Sequence, residues 1–255
     1  MTAAPRHHAN ATLATTVQLT PFTRARWGVE LSALLAIGSI SRYPGGSRAN
    51  HTAAGYSFSH NFLSDLGMTV AYGGQRNLLG AVLFTASLTI IVIGLGVSLI
   101  GFVRLYSTAR AARHLARAAA AVGFIVCAAF IGVALTPENW ALDLHVSFTL
   151  FAFRIFPFMP LLLAFASLFS IGVPRRVVAG WAALTAVLAG YVVLIGWGPP
   201  IDTPLGLSVQ VSAQKLVVLS SMMIFVYLSI EADRILAGPR LESVRGSTAT
   251  SATVT

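Results

Sequence analysis

"NLLGAVLFTASLTIIVIGLGVSLIGFV", residues 77–103, contains no charged side chain. It is longer than the roughly 20 apolar residues a helix needs to cross a bilayer. Similar runs recur along the chain, which is 56% hydrophobic and only 10% charged. Soluble domains carry about 25% charged residues. The pattern predicts an all-α, polytopic membrane protein with six transmembrane helices in one bundle. The expected spans are Trp27–Tyr43, Asn77–Val103, Ala118–Leu135, Leu144–Gly172, Val177–Trp197 and Gln214–Leu236. Residues 1–20 and 239–255, rich in Thr, Ala and Ser, read as disordered tails around a transmembrane domain at 21–238. The start of the chain lacks an apolar stretch of signal-peptide type, so no cleavable leader is expected.

The net charge of +9 does not indicate nucleic acid. The arginines lie in short loops between apolar runs, and no basic stripe is interleaved with aromatics. Alternate loops hold twelve basic residues against four, the four being Arg42, Arg48, Arg76 and Lys215. The positive-inside rule then puts both termini in the cytoplasm, as for a multi-pass protein of a bacterial inner membrane. The lone Cys127 lies in an apolar run, which excludes an internal disulfide and a thiol-based metal site. Small residues such as Ala182, Ala186 and Gly190 suit close helix packing in lipid.

With that orientation the polar clusters fall on the outer face. The densest is "SHNFLSDLG", residues 59–67. Read as a short helix, it has Ser59 as a cap, Gly67 past its end, and glycines at 55 and 67 to let the chain turn. His60 then meets Ser64, and Asn61 meets Asp65, at i,i+4. The polar face either meets water or lines an outer cavity. "NWALDLH", 139–145, echoes "NFLSDLG", 61–67. Asp143 is a natural N-cap for the fourth helix, with His145 in its first turn. His60, Asp65, Asp143 and His145 could in principle hold zinc, but no HExxH or comparable spacing supports it. No metal and no cofactor is expected. Arg154 lies about ten residues into the predicted fourth helix and leans toward the outer face. Pro157 and Pro160 follow it and predict a kink. Asp65 or a lipid phosphate is its expected partner, with snorkelling to the interface the alternative. Glu30 and Glu231 are expected at the inner interface or paired with arginine.

"HNFLSDLG", followed by Asn77, Leu83 and Phe84, resembles the bacterial membrane family called domain of unknown function 998. Thr136, Pro137, Asp143 and His145 ahead of an aromatic-rich helix fit the same pattern. That family is similar in turn to FRAG/DRAM/Sfk-type membrane proteins, which share a Ser-Asp-x-Gly element after the first helix. Some of those are linked to lipid-anchor remodelling or membrane-lipid organisation. The resemblance implies a fold and an outer-face motif at Asn61, Ser64, Asp65 and Gly67, and no catalytic residue.

Three functions are compatible with these residues. The first is binding of a membrane lipid headgroup, or a partner, in an outer-leaflet cavity formed by His60, Asn61, Ser64, Asp65, Asn77, Asp143, His145 and Arg154. The second is a membrane-embedded lipid-remodelling hydrolase, with Ser64 and His60 as its candidate nucleophile and base. The third is a small transporter, disfavoured by the lack of mid-depth acidic residues. A homo-oligomer is compatible with each.

Overall fold

A computed structural model describes residues 19–250, with side chains through residue 238. The expected N-terminal tail falls largely outside these limits, whereas residues 239–250 of the expected C-terminal tail continue the last helix. The described chain is helical: α1 (Pro21–Arg42), α2 (Leu78–Leu105), α3 (Arg110–Leu135), α4 (Glu138–Ile155), α5 (Phe158–Leu168), α6 (Arg175–Trp197) and α7 (Pro204–Thr250). Among the described residues the only β pairing is two isolated bridges in the α1–α2 connection.

Five rods are long and apolar enough to cross a membrane: α2, α3, the bent pair α4–α5, α6, and α7 to Gly238. This is the fold of a multi-pass helical membrane protein. Large apolar side chains such as Leu34, Ile37, Val82, Leu216 and Met223 are exposed around the bundle. Hydrocarbon covers such a surface at no cost. Trp140 and Trp197 are exposed near one end of the bundle and Trp27 near the other, where indole rings favour the membrane–water interface.

The first predicted span does not join these five. Arg24, Arg26 and Glu30 occupy the first half of α1. The helix begins at Pro21, six residues before Trp27, because Thr20 caps it by accepting from the Thr23 amide (3.0 Å) and proline suits the first turn. Its polar groups turn toward α2: Ser32 and Ser87 share a hydrogen bond (2.9 Å), and Ser39 donates to the Gly80 carbonyl (2.8 Å). α3 also starts earlier than expected, since Arg110, Arg113 and Arg117 are good helix formers that extend the rod beyond the apolar run.

The predicted fourth helix is two. Pro157 lacks the amide that would continue the ladder, and the chain bends there before α5. The expected N-cap role of Asp143 is overturned. α4 begins at Glu138 after Pro137, and Asp143 is an exposed residue inside it. Ala141 is non-helical (φ −146°, ψ 61°) and kinks α4, so Asp143 lies in the first turn after the kink and its side chain accepts no capping hydrogen bond.

Both ends of the bundle are tied. In the core Tyr106 accepts hydrogen bonds from Trp181 Nε1 (3.1 Å) and Ser167 (2.9 Å). At the end holding Trp27, Asp233 accepts from Thr20, Thr23 and Arg26 (2.6, 3.1 and 2.7 Å) and joins α7 to α1. Glu231, 1% exposed, pairs with Arg176 and Arg234 as the sequence led us to expect, whereas Glu30 is exposed. The other end is closed by the α1–α2 connection, residues 43–77, which folds back across it.

Candidate functional site: the polar cap and the cavity beneath it

The connection is a hydrogen-bonded cap built around Asn61. Its side chain is fully buried. Nδ2 donates to Gly46 O (3.1 Å) and to Asp65 Oδ2 (2.9 Å), while Oδ1 accepts from the Ser57 amide (2.9 Å). The expected Asn61–Asp65 meeting is therefore present, but not on an α-helix from residue 60. The helical part is a short 3-10 turn, Leu63–Gly67. Asp65 Oδ2 also accepts from the Phe62 amide (3.1 Å), which closes the start of that turn. His60 does not reach Ser64. Its Nδ1 bonds to Ser57 and Ser59 (3.2 and 2.8 Å), because the chain there is a tight turn.

Glycine serves the cap at two points for different reasons. Gly46 has φ +85°, and a Cβ there would lie 2.2 Å from the Gly73 amide nitrogen. Gly67 is not left-handed, as its expected turning role required. A Cβ on it would strike the Phe84 ring at 2.9 Å, so the residue marks close packing of the 3-10 turn on α2. Asn77 secures the same contact, donating through Nδ2 to Leu66 O (3.1 Å) and Met68 O (2.8 Å).

Two later helices hold the cap down. From α7, Gln214 Oε1 accepts from the Leu63 amide (2.7 Å), and Lys215 Nζ donates to Asn61 O (2.5 Å) above the Tyr56 ring. From α4, Asn139 exchanges two hydrogen bonds with Thr69 (both 2.9 Å). Glu138 accepts from Tyr72 (2.9 Å) and faces Arg48 at 3.7 Å.

The cap is electrostatically unusual. Asp65 is 1% exposed and its Oδ1 has no hydrogen-bond partner. Burial, with Glu138 adding its field, pushes the carboxyl up to about 8, and the Asn61 and Phe62 donors oppose this only in part. Burial and the nearby Asp65 raise the Tyr43 hydroxyl to about 12 and raise Tyr56 and Tyr72 further.

Below the cap, between α4, α6 and α7, lies a cavity of about 500 Å³. Ser64, His145 and Arg154 meet there, joined by Arg48, Glu138 and Gln214. His145 is 4% exposed. Its Nδ1 bonds to the Thr136 carbonyl (2.7 Å), so Nδ1 carries the proton, and the buried Nε2 has no partner. Apolar side chains including Val146, Leu150 and Ile195 form the remaining wall.

No family model, curated protein or solved structure matches the chain.

The expected Asp65–Arg154 pair does not form. Arg154 makes no ion pair among the described residues, and the lysine tied to Asn61 is the cation that acts on Asp65. Arg154 lies halfway along the α4–α5 rod, just before the Pro157 bend, with its side chain on the cavity. Nor does the four-residue zinc set assemble. Among the described residues no three His, Cys, Asp or Glu side chains gather, and Asp143 stays on the exposed face of α4. Of the eight predicted residues, Asn61, Asp65 and Asn77 build the cap. Ser64, His145 and Arg154 line the cavity, while His60 and Asp143 do neither. Sequence reasoning missed Gln210, Gln214, Lys215 and Glu138. The signal was available: three polar side chains at i, i+4 and i+5 on the otherwise apolar face of α7.

Proposed function

We propose that this is a six-span protein of a bacterial inner membrane, with both termini cytoplasmic, which binds a phosphate-bearing lipid headgroup in the outer-leaflet cavity beneath its cap. One observation carries the reading: Arg154, at the midpoint of a membrane-length rod, is exposed, lines the cavity and makes no ion pair among the described residues. A charged side chain at such a depth costs about 2.5–3.5 kcal/mol on the insertion scale. A phosphate held in the cavity would offset that cost where no carboxylate of the described chain does. A guanidinium matches a phosphate in geometry as well as charge. The apolar wall suits the glycerol and first chain carbons.

The test is native mass spectrometry of the full chain from detergent, titrated with phosphatidylglycerol and with neutral diacylglycerol. Phosphatidylglycerol should be retained selectively, and Arg154→Gln should weaken it at least tenfold, the loss of one charged hydrogen bond. Equal retention of both lipids, unchanged by Arg154→Gln, would refute the proposal. A second reading rests on Ser64 and His145 lining the same cavity. With Nδ1–H fixed on a carbonyl, Nε2 is the nitrogen left to act as a base; it makes no hydrogen bond to Ser64 here, so the two would have to close on each other for Ser64 to attack a lipid ester. Release of fatty acid by the wild type and not by Ser64→Ala would establish hydrolysis. Binding without turnover would exclude it.

A further inference from the structure

Two apolar cavities continue inward from the polar one. The first, about 370 Å³, lies between α1, α2 and α7 and shares Ser64, Thr149 and Gln214 with the polar cavity. The second, about 140 Å³, runs deeper to Met159 and Phe225. These two share six wall residues: Leu88, Ile91, Phe130, Phe153, Val218 and Met222. The three spaces are thus adjacent and share walls, polar at the outer end and apolar at the inner end. Lys215 stands where the apolar part begins. Its ammonium has three N–H groups, and two point at the carbonyls of Asn61 and Val211. The third remains for a ligand. From Lys215 to Phe225 the tunnel follows ten residues of α7, or about 15 Å. Exposed Ile37, Phe58 and Leu219 rim the first cavity on the α1–α7 side, so it opens sideways toward lipid.

We propose that this tunnel takes one unbranched acyl chain of an anionic amphiphile, entering from the outer leaflet between α1 and α7, with its charged end at Lys215 and Arg154. The inference rests on the headgroup reading above and names the ligand class: a lysophospholipid or a fatty acid. The small inner cavity, narrowed by Phe130, Phe153 and Phe156, holds one chain and not two. A cationic group at the mouth of an apolar tunnel selects a ligand that is anionic at one end. Plain lipid-facing surface has no such polarity.

The full chain in nanodiscs would be labelled with two photoreactive probes, a lauroyl fatty acid and a lauroyl lysophosphatidylglycerol, each carrying a diazirine near the chain end. Expected are adducts on Met222, Phe153 or Phe225, competed by unlabelled lauroyl lysolipid and not by a hexanoyl lysolipid, whose chain does not reach them. Val218→Trp and Ser221→Trp, placed in the wall, should each cut this labelling at least tenfold. The chain-length comparison uses the unaltered protein and stands if either variant misfolds. The stronger competitor identifies which of the two amphiphiles is preferred. Adducts confined to exposed Leu216 and Met223, insensitive to both variants and to competitor length, would overturn the tunnel. Tunnel adducts that persist unchanged in Arg154→Gln, and with an uncharged lauroyl alcohol probe, would refute the headgroup reading while the tunnel stands.

Discussion

Asp65 and Lys215 are joined through Asn61 and form no direct ion pair. The Asn61 side chain donates to Asp65, and its main-chain carbonyl accepts from Lys215. One residue of the cap thus transmits between a buried acid and a basic residue on the last helix.

Asn61→Ala should be the most damaging single change in the cap. It removes three hydrogen bonds and leaves Gly46 O, the Ser57 amide and Asp65 short of partners. At about 1 kcal/mol for each net bond, the loss is about 3 kcal/mol. Thr69→Ala keeps its amide bond to Asn139 and should cost under about 1 kcal/mol. Thermal unfolding of both variants in one detergent checks the order.

The protein should lose stability as pH rises through the neutral range. The folded-state pKa of Asp65, about 8, lies above its ordinary value of 3.8. Between those values the folded state holds a proton that the unfolded state releases. The contribution is complete below about 4, declines as pH rises, and is lost above about 8. Asp65→Asn keeps an acceptor for Asn61 and Phe62 and cannot ionise. Its melting temperature should be flatter than that of the wild type between pH 5 and 8. Parallel curves would show that Asp65 is not the group responsible.

Arg154→Leu and Asp65→Leu should act additively. They share no hydrogen-bond partner, so the double variant should show a coupling below about 0.5 kcal/mol. Asn61→Ala combined with Asp65→Leu should instead show strong coupling, because the two side chains bond directly. A double-mutant cycle on folded yield and unfolding distinguishes the cases.

Asp233→Ala should loosen the opposite end of the bundle. It deprives Thr20, Thr23 and Arg26 of a common acceptor, at a cost of about 2–3 kcal/mol. Proteolysis between α5 and α6, at the same end as Asp233, should accelerate, while lipid labelling at the cap end stays unchanged.

Single cysteines at the exposed positions 74, 139 and 203 should react with an impermeant maleimide on whole cells, in a Cys127→Ala background. Cysteines at exposed 108 and 175 should react only after lysis. The reverse pattern would place the cap in the cytoplasm.

Much of the helical plan was legible because lipid imposes it: a run such as 77–103 has one way to satisfy its backbone in a bilayer. The bend at Pro157 was legible for a local reason, the missing amide. The cap was only half legible. Asn61 and Asp65 lie four residues apart, so their meeting could be read, although the turn between them is 3-10. Gln214 and Lys215 could not be assigned to Asn61 and Leu63 by spacing, since their partners lie some 150 residues away and are set by how α7 packs. Arg154 and Asp65 were matched by charge and by the outward lean of a helical side chain. Asp65 had its donors close at hand, and the arginine lies on a different wall.

The 154 residues between Asn61 and Lys215 also fix an order of events during synthesis. At about 5–20 residues per second, the ribosome takes roughly 8–30 s to travel that distance. Throughout that interval the cap sequence has left the ribosome without the helix that fastens it. The nascent protein therefore carries its most polar loop held by α2 and α4 alone until its final span is in place, and a chain interrupted before Pro204 lacks Gln214 and Lys215 to fasten it. Completion of the last helix is the step at which an assembly of spans becomes a protein with an interior.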